Sequence, residues 1–375
     1  MGFAEIGKLR GWSDELTIVA VILAIKVLLW SYGWMSYHVL QPTFTIDRLA
    51  VSVELWNRWD APHYLAIAQS GYPRTGDLTL LAFFPLYPLL VRGVDVITRN
   101  FLASALLVSG IATIIAGLEL YRLARIDYSR SIAFTAVMFM FLFPTSYFLH
   151  IGYTESTFLA FVLATFLALR HDRWLTAGVS GMFAALTHIH GVLLFLVFAT
   201  ETWIRWRQHR YLEWRWLISG MLVVVGLLTY MLWNYHLTGD PLTFLHIQHK
   251  WLNYPVPPWQ SLSENWDIVR HYGNYDSQIM GVQVLFFITV VSIAIIVSLF
   301  YMRLSYTVWM AATLLIFICQ SWDINAPREV LCMFPLFILM GMLSQSRTLK
   351  VILTTWAILS LGTFAGQFAA GRWAY

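Results

Sequence analysis

Apolar runs of up to about 22 residues recur from one end of this chain to the other, separated by short polar connectors and one longer polar stretch. Inside hydrocarbon every backbone amide must be satisfied within its own segment, so such runs imply membrane helices. The pattern predicts spans at 17–37, 102–121, 131–149, 156–170, 175–189, 191–204, 216–235, 280–301, 305–320, 329–344 and 350–369, several of them short for a full crossing. The expected fold class is therefore all-α and polytopic, a bundle of roughly 10 to 12 membrane helices forming a single domain over residues 1–375. Its two sizeable external loops are 38–79 and 236–279. The first run begins near Thr17 and lacks a small-residue cleavage site, which reads as a retained span and not a signal peptide.

Arginine placement orients the bundle. The connector holding Arg205, Arg207, Arg210 and Arg215 is the strongest cytoplasmic signal, and Arg122, Arg125, Arg130, Arg347 and Lys350 agree with it by parity. The opposite face then carries the two long loops, the connector around Glu155, and the connector around Asp323 and Arg328. The run from Leu80 to Thr98, with Pro85, Pro88, Arg92 and Asp95, breaks this parity if it crosses, and it reads as a membrane-dipping or juxtamembrane helix.

Composition agrees. Hydrophobic residues make up 59% of the chain and charged ones only 12%, too few to clothe a water-facing surface. The 18 Trp, 18 Tyr and 25 Phe exceed what core packing needs, and many lie beside connectors, where amphipathic rings favour the interface. The net charge of +4 comes from connector arginines and carries no suggestion of nucleic acid. Cys319 and Cys332 have no paired spacing and read as packing residues.

Candidate chemistry concentrates in the first external loop. Glu54, Arg58, Asp60 and His63 fall within ten residues, flanked by aromatics that include Trp59. From Pro62 onward a short amphipathic helix is expected, ending at Gly71, with Asp60 at its N-terminus. There the carboxylate either caps the helix or serves as a general base at the water–lipid boundary. Glu155, opening another apolar run, caps that helix or lines a polar cavity. His188 and His190 stand two residues apart, too close to share one face of a straight helix, so a zinc site is not expected; a helix break at Gly191 is, with one imidazole turned toward the cavity. Gln248 and Trp251, in the second loop, suit sugar contacts through an amide and a ring face, or plain interfacial anchoring. Arg328 can hold a lipid phosphate bidentately or pair with its neighbour Glu329.

These residues carry a family likeness. Trp59-Asp60-x-x-His63-Tyr-Leu-x-Ile-Ala-x-x-Gly71-Tyr72 and Phe83-Phe84-Pro85-Leu-Tyr-Pro88 resemble the signature of the PIG-V (GPI mannosyltransferase II) enzymes and their prokaryotic relatives. The likeness continues through Phe143-Pro144-x-Ser146, Tyr153-Thr-Glu155-Ser156, Gly239-Asp-Pro-Leu, Pro327-Arg328 and Phe334-Pro335-Leu336-Phe337. It departs where relatives often carry an Arg-Ser-Asn-Gly-like segment and this chain has His188-Ile-His190-Gly191. The resemblance implies a GT-C membrane glycosyltransferase fold. It also implies a polyprenyl-phosphate-linked sugar donor, most often mannose, a lipid or glycan acceptor on the outer or luminal face, and an acidic general base in the first external loop, which Asp60 matches.

The expected function is thus inverting hexosyl transfer. Asp60 is the expected catalytic residue; Arg328, His63 and Arg58 would hold the donor phosphate; Glu54, Trp59, Glu155, His190, Gln248 and Trp251 would contact substrate. No bound cofactor and no metal are expected, the outer loops holding no Asp-x-Asp pair. The expected location is the plasma membrane of a prokaryote, or the endoplasmic reticulum membrane of a eukaryote. A transporter or lipid flippase is the alternative, and it calls for ionisable residues deep in the spans, where Lys26, Glu119 and Glu201 are few.

Overall fold

The computed structural model describes residues 3–40, 53–271, 275–321, 325–372 and 374, the side chains of 3–12 and 275–277 excepted. Asp323, within the connector expected beside Arg328, lies outside the described residues. Among the described residues the protein is helical, with one isolated bridge between Pro255 and Gln320 and no named strand. The helices are α1 (Phe3–Leu40), α2 (Ala61–Ser70), α3 (Leu86–Thr98), α4 (Phe101–Asp127), α5 (Arg130–Leu142), α6 (Glu155–Arg170), α7 (Trp174–Thr187) and α8 (Leu194–His209). They continue as α9 (Trp214–Thr238), α10 (Thr243–His246), α11 (Pro258–His271), α12 (Tyr275–Tyr301), α13 (Leu304–Ile318), α14 (Ala326–Leu331), α15 (Pro335–Leu343) and α16 (Arg347–Ala369).

Among the described residues, five segments are long and apolar enough to cross a membrane: Ser13–Leu40, Phe101–Asp127, Trp214–Thr238, Gln278–Tyr301 and Arg347–Ala369. The apolar helices α5, α7 and α13 are shorter, and at 1.5 Å per residue a helix of 13 to 15 residues reaches only about 20 Å. Proline explains two of the breaks. The predicted span 131–149 ends as a helix at Leu142, because Phe143 precedes Pro144 and takes an extended ψ of 146°. A 3-10 turn, Ser146–His150, follows. The predicted span 329–344 is likewise divided, with Pro335 at the start of α15, where its missing N–H costs nothing.

The helix ends sort into two groups. At one end lie the start of α1, the α4–α5 and α6–α7 turns, the α8–α9 and α12–α13 turns, and the start of α16. This end is laced by ion pairs: Arg122 with Glu15, Arg130 with Asp14, Arg170 with Asp127, and Arg303 with Glu201. It is the end that the arginine pattern reads as cytoplasmic. The α5–α6 segment, the α7–α8 turn, the start of α14 and residues 53–79 gather at the other.

Helix α6 runs through the middle, its side chains buried on all sides, as expected of a helix that is apolar all round. Beside it α7 and α9 approach closely at small residues. A Cβ on Gly178 would lie 2.5 Å from the Ser219 carbonyl, and one on Gly226 2.5 Å from that of Met182. This is the small-residue packing by which membrane helices gain van der Waals contact.

The Leu80–Thr98 run forms no helix long enough to cross by itself. It forms a 3-10 turn, Thr79–Ala82, and then α3, which buries Tyr87, Pro88 and Val91 and exposes Leu89, Leu90, Val96 and Ile97. Arg92 of α3 donates to the carbonyls of Ala68 and Gln69 at 2.6 and 3.0 Å, fastening it to the C-terminal end of α2. The two external loops are also tied, since Lys250 donates to Asp77 and, at 2.9 Å, to Thr79. Lys250, with Thr79, holds the Asp77 carboxyl well below the usual carboxylate range. A depressed carboxylate keeps its pairing at neutral pH and loses it only as pH falls through the depressed pKa. Protease nicking of the second loop is therefore expected to be unchanged between pH 7 and pH 5 in the wild type and faster at both pH values in Lys250→Ala, measured on detergent-solubilised protein.

Candidate active site

The site begins with a turn that the local sequence disfavours and that packing against Tyr153 holds. Trp59 adopts a left-handed φ of 56°, costly for a bulky residue at about 1–3 kcal/mol, and the chain then enters α2 with Asp60 at its N-cap and Pro62 in the first turn. The Tyr153 hydroxyl holds this turn from below: it donates to the Arg58 carbonyl at 2.8 Å and accepts from the Asp60 N–H at 3.1 Å. The Asp60 side chain makes no capping hydrogen bond. Its Oδ2 instead accepts from Arg328 Nη1 at 2.5 Å, which removes the simple capping reading.

Arg328 joins three distant parts of the chain. Its Nε donates to Glu155 Oε1, and its guanidinium lies 5.0 and 4.9 Å from the ring centres of Phe148 and Tyr153. The Thr145 hydroxyl donates to the Pro327 carbonyl at 2.8 Å, locking the turn that carries Arg328 onto the broken α5–α6 segment. Burial works against the charged guanidinium, but the carboxylates of Glu155 and Asp60 outweigh it and hold its pKa well above the ordinary value.

Exposure separates the two acids. The Glu155 side chain is 5% exposed and that of Asp60 31%, so Asp60 opens outward while Glu155 supports Arg328 from inside. A second buried oxygen, Glu155 Oε2, has no hydrogen-bond partner. Glu155 does occupy the first turn of α6, as a cap would, yet its carboxylate is committed to Arg328. A buried triad of two carboxylates and one guanidinium is a poor stabiliser, because desolvation offsets much of the attraction. Such a cluster marks a candidate functional site. Two of the five guanidinium N–H groups are taken by the acids in this arrangement, leaving donors for an anion.

Other predicted residues fall into three groups. His63 stacks on Phe83 at 4.9 Å, and Trp251 meets the same ring edge-on at 6.4 Å, so the first and second loops share an aromatic wall. Trp59 is 42% exposed on the outer surface. Arg58 is turned away: it donates to the carbonyls of Leu55 and Ala369 at 2.9 and 3.1 Å, a clamp on the end of α16 in place of the phosphate contact expected of it. Glu54 accepts from Asn57 at 3.3 Å and Gln248 from the Asn253 N–H at 3.1 Å through its carbonyl, and no side-chain contact brings either to the Arg328 cluster among the described residues.

Two readings change. Glu329 does not pair with Arg328; successive helical residues point about 100° apart, and Glu329 turns to His190, with Oε2 2.9 Å from Nδ1. The histidine argument also changes, because 188–190 is not a straight helix. Helix α7 stops at Thr187, His188 is extended, and a 3-10 turn, Ile189–Leu193, precedes α8. The break falls at His188, three residues before the expected Gly191, which lies within the 3-10 turn. A Cβ on Gly191 would lie 2.3 Å from the Ala185 amide nitrogen and 2.4 Å from the Ala184 carbonyl carbon, backbone that cannot yield like a side chain. Gly191→Ala is accordingly expected to lower thermal stability by about 1–3 kcal/mol or more, read by the melting temperature of purified protein.

Sequence reasoning missed Tyr153, Phe148, Tyr64 and Thr154 as site-builders. The Tyr64 hydroxyl lies 3.2 Å from Thr154 Oγ1, beneath Asp60. Tyr153 and Thr154 adjoin Glu155 within a motif already singled out, which was the available signal. Phe148 had none.

Comparison with known proteins bears on this grouping. Residues 31–205 match the mannosyltransferase (PIG-V) family, a stretch that includes Asp60 and Glu155 but not Arg328. The GPI alpha-1,6-mannosyltransferase 2 of Rattus norvegicus is 27% identical over 166 residues, 41% of this chain and 33% of that protein, so the match spans a third of the relative's length. Among solved structures, the Archaeoglobus fulgidus oligosaccharyltransferase tethered with an acceptor peptide aligns at 12% identity and TM-score 0.49, covering 95% of this chain and 55% of that one. ArnT from Cupriavidus metallidurans bound to undecaprenyl phosphate aligns at 13% identity and TM-score 0.42, covering 94% and 77%. The sequence match is the informative one, and it includes Asp60, Tyr153 and Glu155: over residues 31–205 this helical chain is similar to the PIG-V mannosyltransferases.

Proposed function

We propose that the protein transfers a hexose, most naturally mannose, from a polyprenyl-phosphate donor to a lipid or glycan hydroxyl at the outer face, with inversion. The observation that carries this reading is the contact of Asp60 with Arg328, a partly open carboxylate beside a buried cation. A sugar hydroxyl is a weak nucleophile. Asp60 takes its proton as the oxygen bonds to the anomeric carbon, and the bond from that carbon to the phosphate oxygen breaks. The phosphodiester of the donor carries one negative charge and the departing lipid phosphate a second, which the free N–H groups of Arg328 stabilise more strongly than the singly charged donor linkage. Glu155 and the two rings keep the guanidinium aimed, a positioning role. His63 and Trp251 offer ring faces along one wall for a sugar.

The PIG-V match supports a mannosyl donor, and the placement of the site at the end opposite the arginine-rich connectors supports outer-face chemistry. Purified protein in liposomes, offered polyprenyl-phosphate mannose or a mannose nucleotide with a range of lipid acceptors, tests the donor. Turnover is expected with the lipid-linked donor. Turnover with the nucleotide alone would overturn this assignment.

A further inference from the structure

We propose that His188, His190 and Glu329 form a binding site for one divalent transition-metal ion of the zinc class, next to but separate from the Asp60–Arg328 pair. Their ligand atoms all lie within 4.8 Å of one another. His190 Nδ1 is 2.9 Å and His188 Nε2 4.0 Å from the Glu329 carboxylate. Ligands held about 2.1 Å from a tetrahedral ion stand about 3.4 Å apart; the two contacts to Glu329 lie on either side of that value, and the widest spacing of the set, within 4.8 Å, has to shorten when an ion binds. Two imidazoles with one carboxylate is a donor set that suits zinc and its neighbours, and three protein ligands leave one position open.

Three independent observations point to a ligand here. His190 is 3% exposed, and while its Nδ1 lies 2.9 Å from Glu329, its buried Nε2 has no hydrogen-bond partner, an arrangement that buried imidazoles avoid. A cavity of about 10 Å³, the size of one water or one ion, is lined by two of the three ligands, His188 and Glu329, together with Cys332, Glu155 and Arg328, His190 lying outside its lining. Finally, the neighbouring carboxylates of Asp60, Glu155 and Glu329 face one guanidinium, that of Arg328, a formal excess of two negative charges when both histidines are neutral. One divalent cation balances it. The ion would also pin the α7–α8 turn to the residue that follows Arg328, fixing the guanidinium from a side that the acids do not reach.

The test uses untagged full-length protein stripped with a chelator, desalted, and titrated with Zn²⁺ or Co²⁺. One equivalent of zinc retained after desalting, a rise in melting temperature, and for cobalt a visible absorption band of a low-coordinate ion are expected. His190→Gln and Glu329→Gln should weaken binding by at least about 100-fold, while His246→Asn, a surface histidine paired with Asp240, should not. Should a site variant fail to fold, His188→Asn and the cobalt spectrum of the wild type decide the matter. Less than a tenth of an equivalent bound at tens of micromolar metal would overturn the proposal. So would binding that the site variants leave unchanged, whatever the transferase assay gives.

Discussion

Asp60→Asn is expected to lower the rate of sugar transfer by about 10²–10⁴-fold while leaving the fold and donor affinity nearly intact. The amide keeps the shape of the side chain and can still accept from Arg328 Nη1 through its oxygen, so the contact that now measures 2.5 Å has a weaker but similar replacement. What it cannot do is take a proton. The turn itself rests on backbone contacts with Tyr153, which the substitution does not touch. Single-turnover transfer with saturating donor separates the effects: a lost chemical step with unchanged donor binding supports the assignment. Unchanged transfer would show that Asp60 only balances the Arg328 charge.

Arg328→Gln is expected to have the second large effect, on stability and on activity together. It leaves Glu155, 5% exposed, without its counter-charge, and breaking a buried pair from one side costs about 3–5 kcal/mol. It also removes the cation assigned to the leaving phosphate. These losses can be separated by adding Glu155→Gln, which removes the stranded charge. The double variant should recover much of the melting temperature and none of the activity. If it recovered both, Arg328 would be a structural partner of Glu155 and nothing more.

The parts of this site were legible one residue at a time. Asp60 stood out because acids and bases crowd into the first loop, Arg328 because a fixed cation sits at a membrane boundary, and Glu155 because it opens an apolar run. Parity of the arginine-rich connectors put all three at one end. Their contact was not legible, since Arg328 lies 268 residues from Asp60 and 173 from Glu155, and nothing in a period or a spacing reports packing over such separations. The shape of the broken helices was only half legible. Pro144 and Pro335 were visible, but apolar sequence continued past them and read as single spans, whereas the chain bends there and brings Phe148, Tyr153 and the Pro327 turn together. Arg58 misled for the opposite reason. Charge near Asp60 in the sequence suggested a phosphate ligand, yet its long side chain reaches the carbonyl of Ala369 at the other end of the chain. At His188 and His190 the straight-helix argument was sound, but Gly191 packs on the end of α7 and removes its premise.

A single displacement, with Asp60 taking the proton of the attacking hydroxyl, makes one direct demand. Wild-type protein in liposomes, given polyprenyl-phosphate mannose of known anomeric configuration, should release one polyprenyl phosphate for each glycoside formed. The glycoside should have the inverted configuration, read by the anomeric coupling in NMR. A product of retained configuration would contradict the account, because it requires two displacements or a front-face path that gives Asp60 a different task.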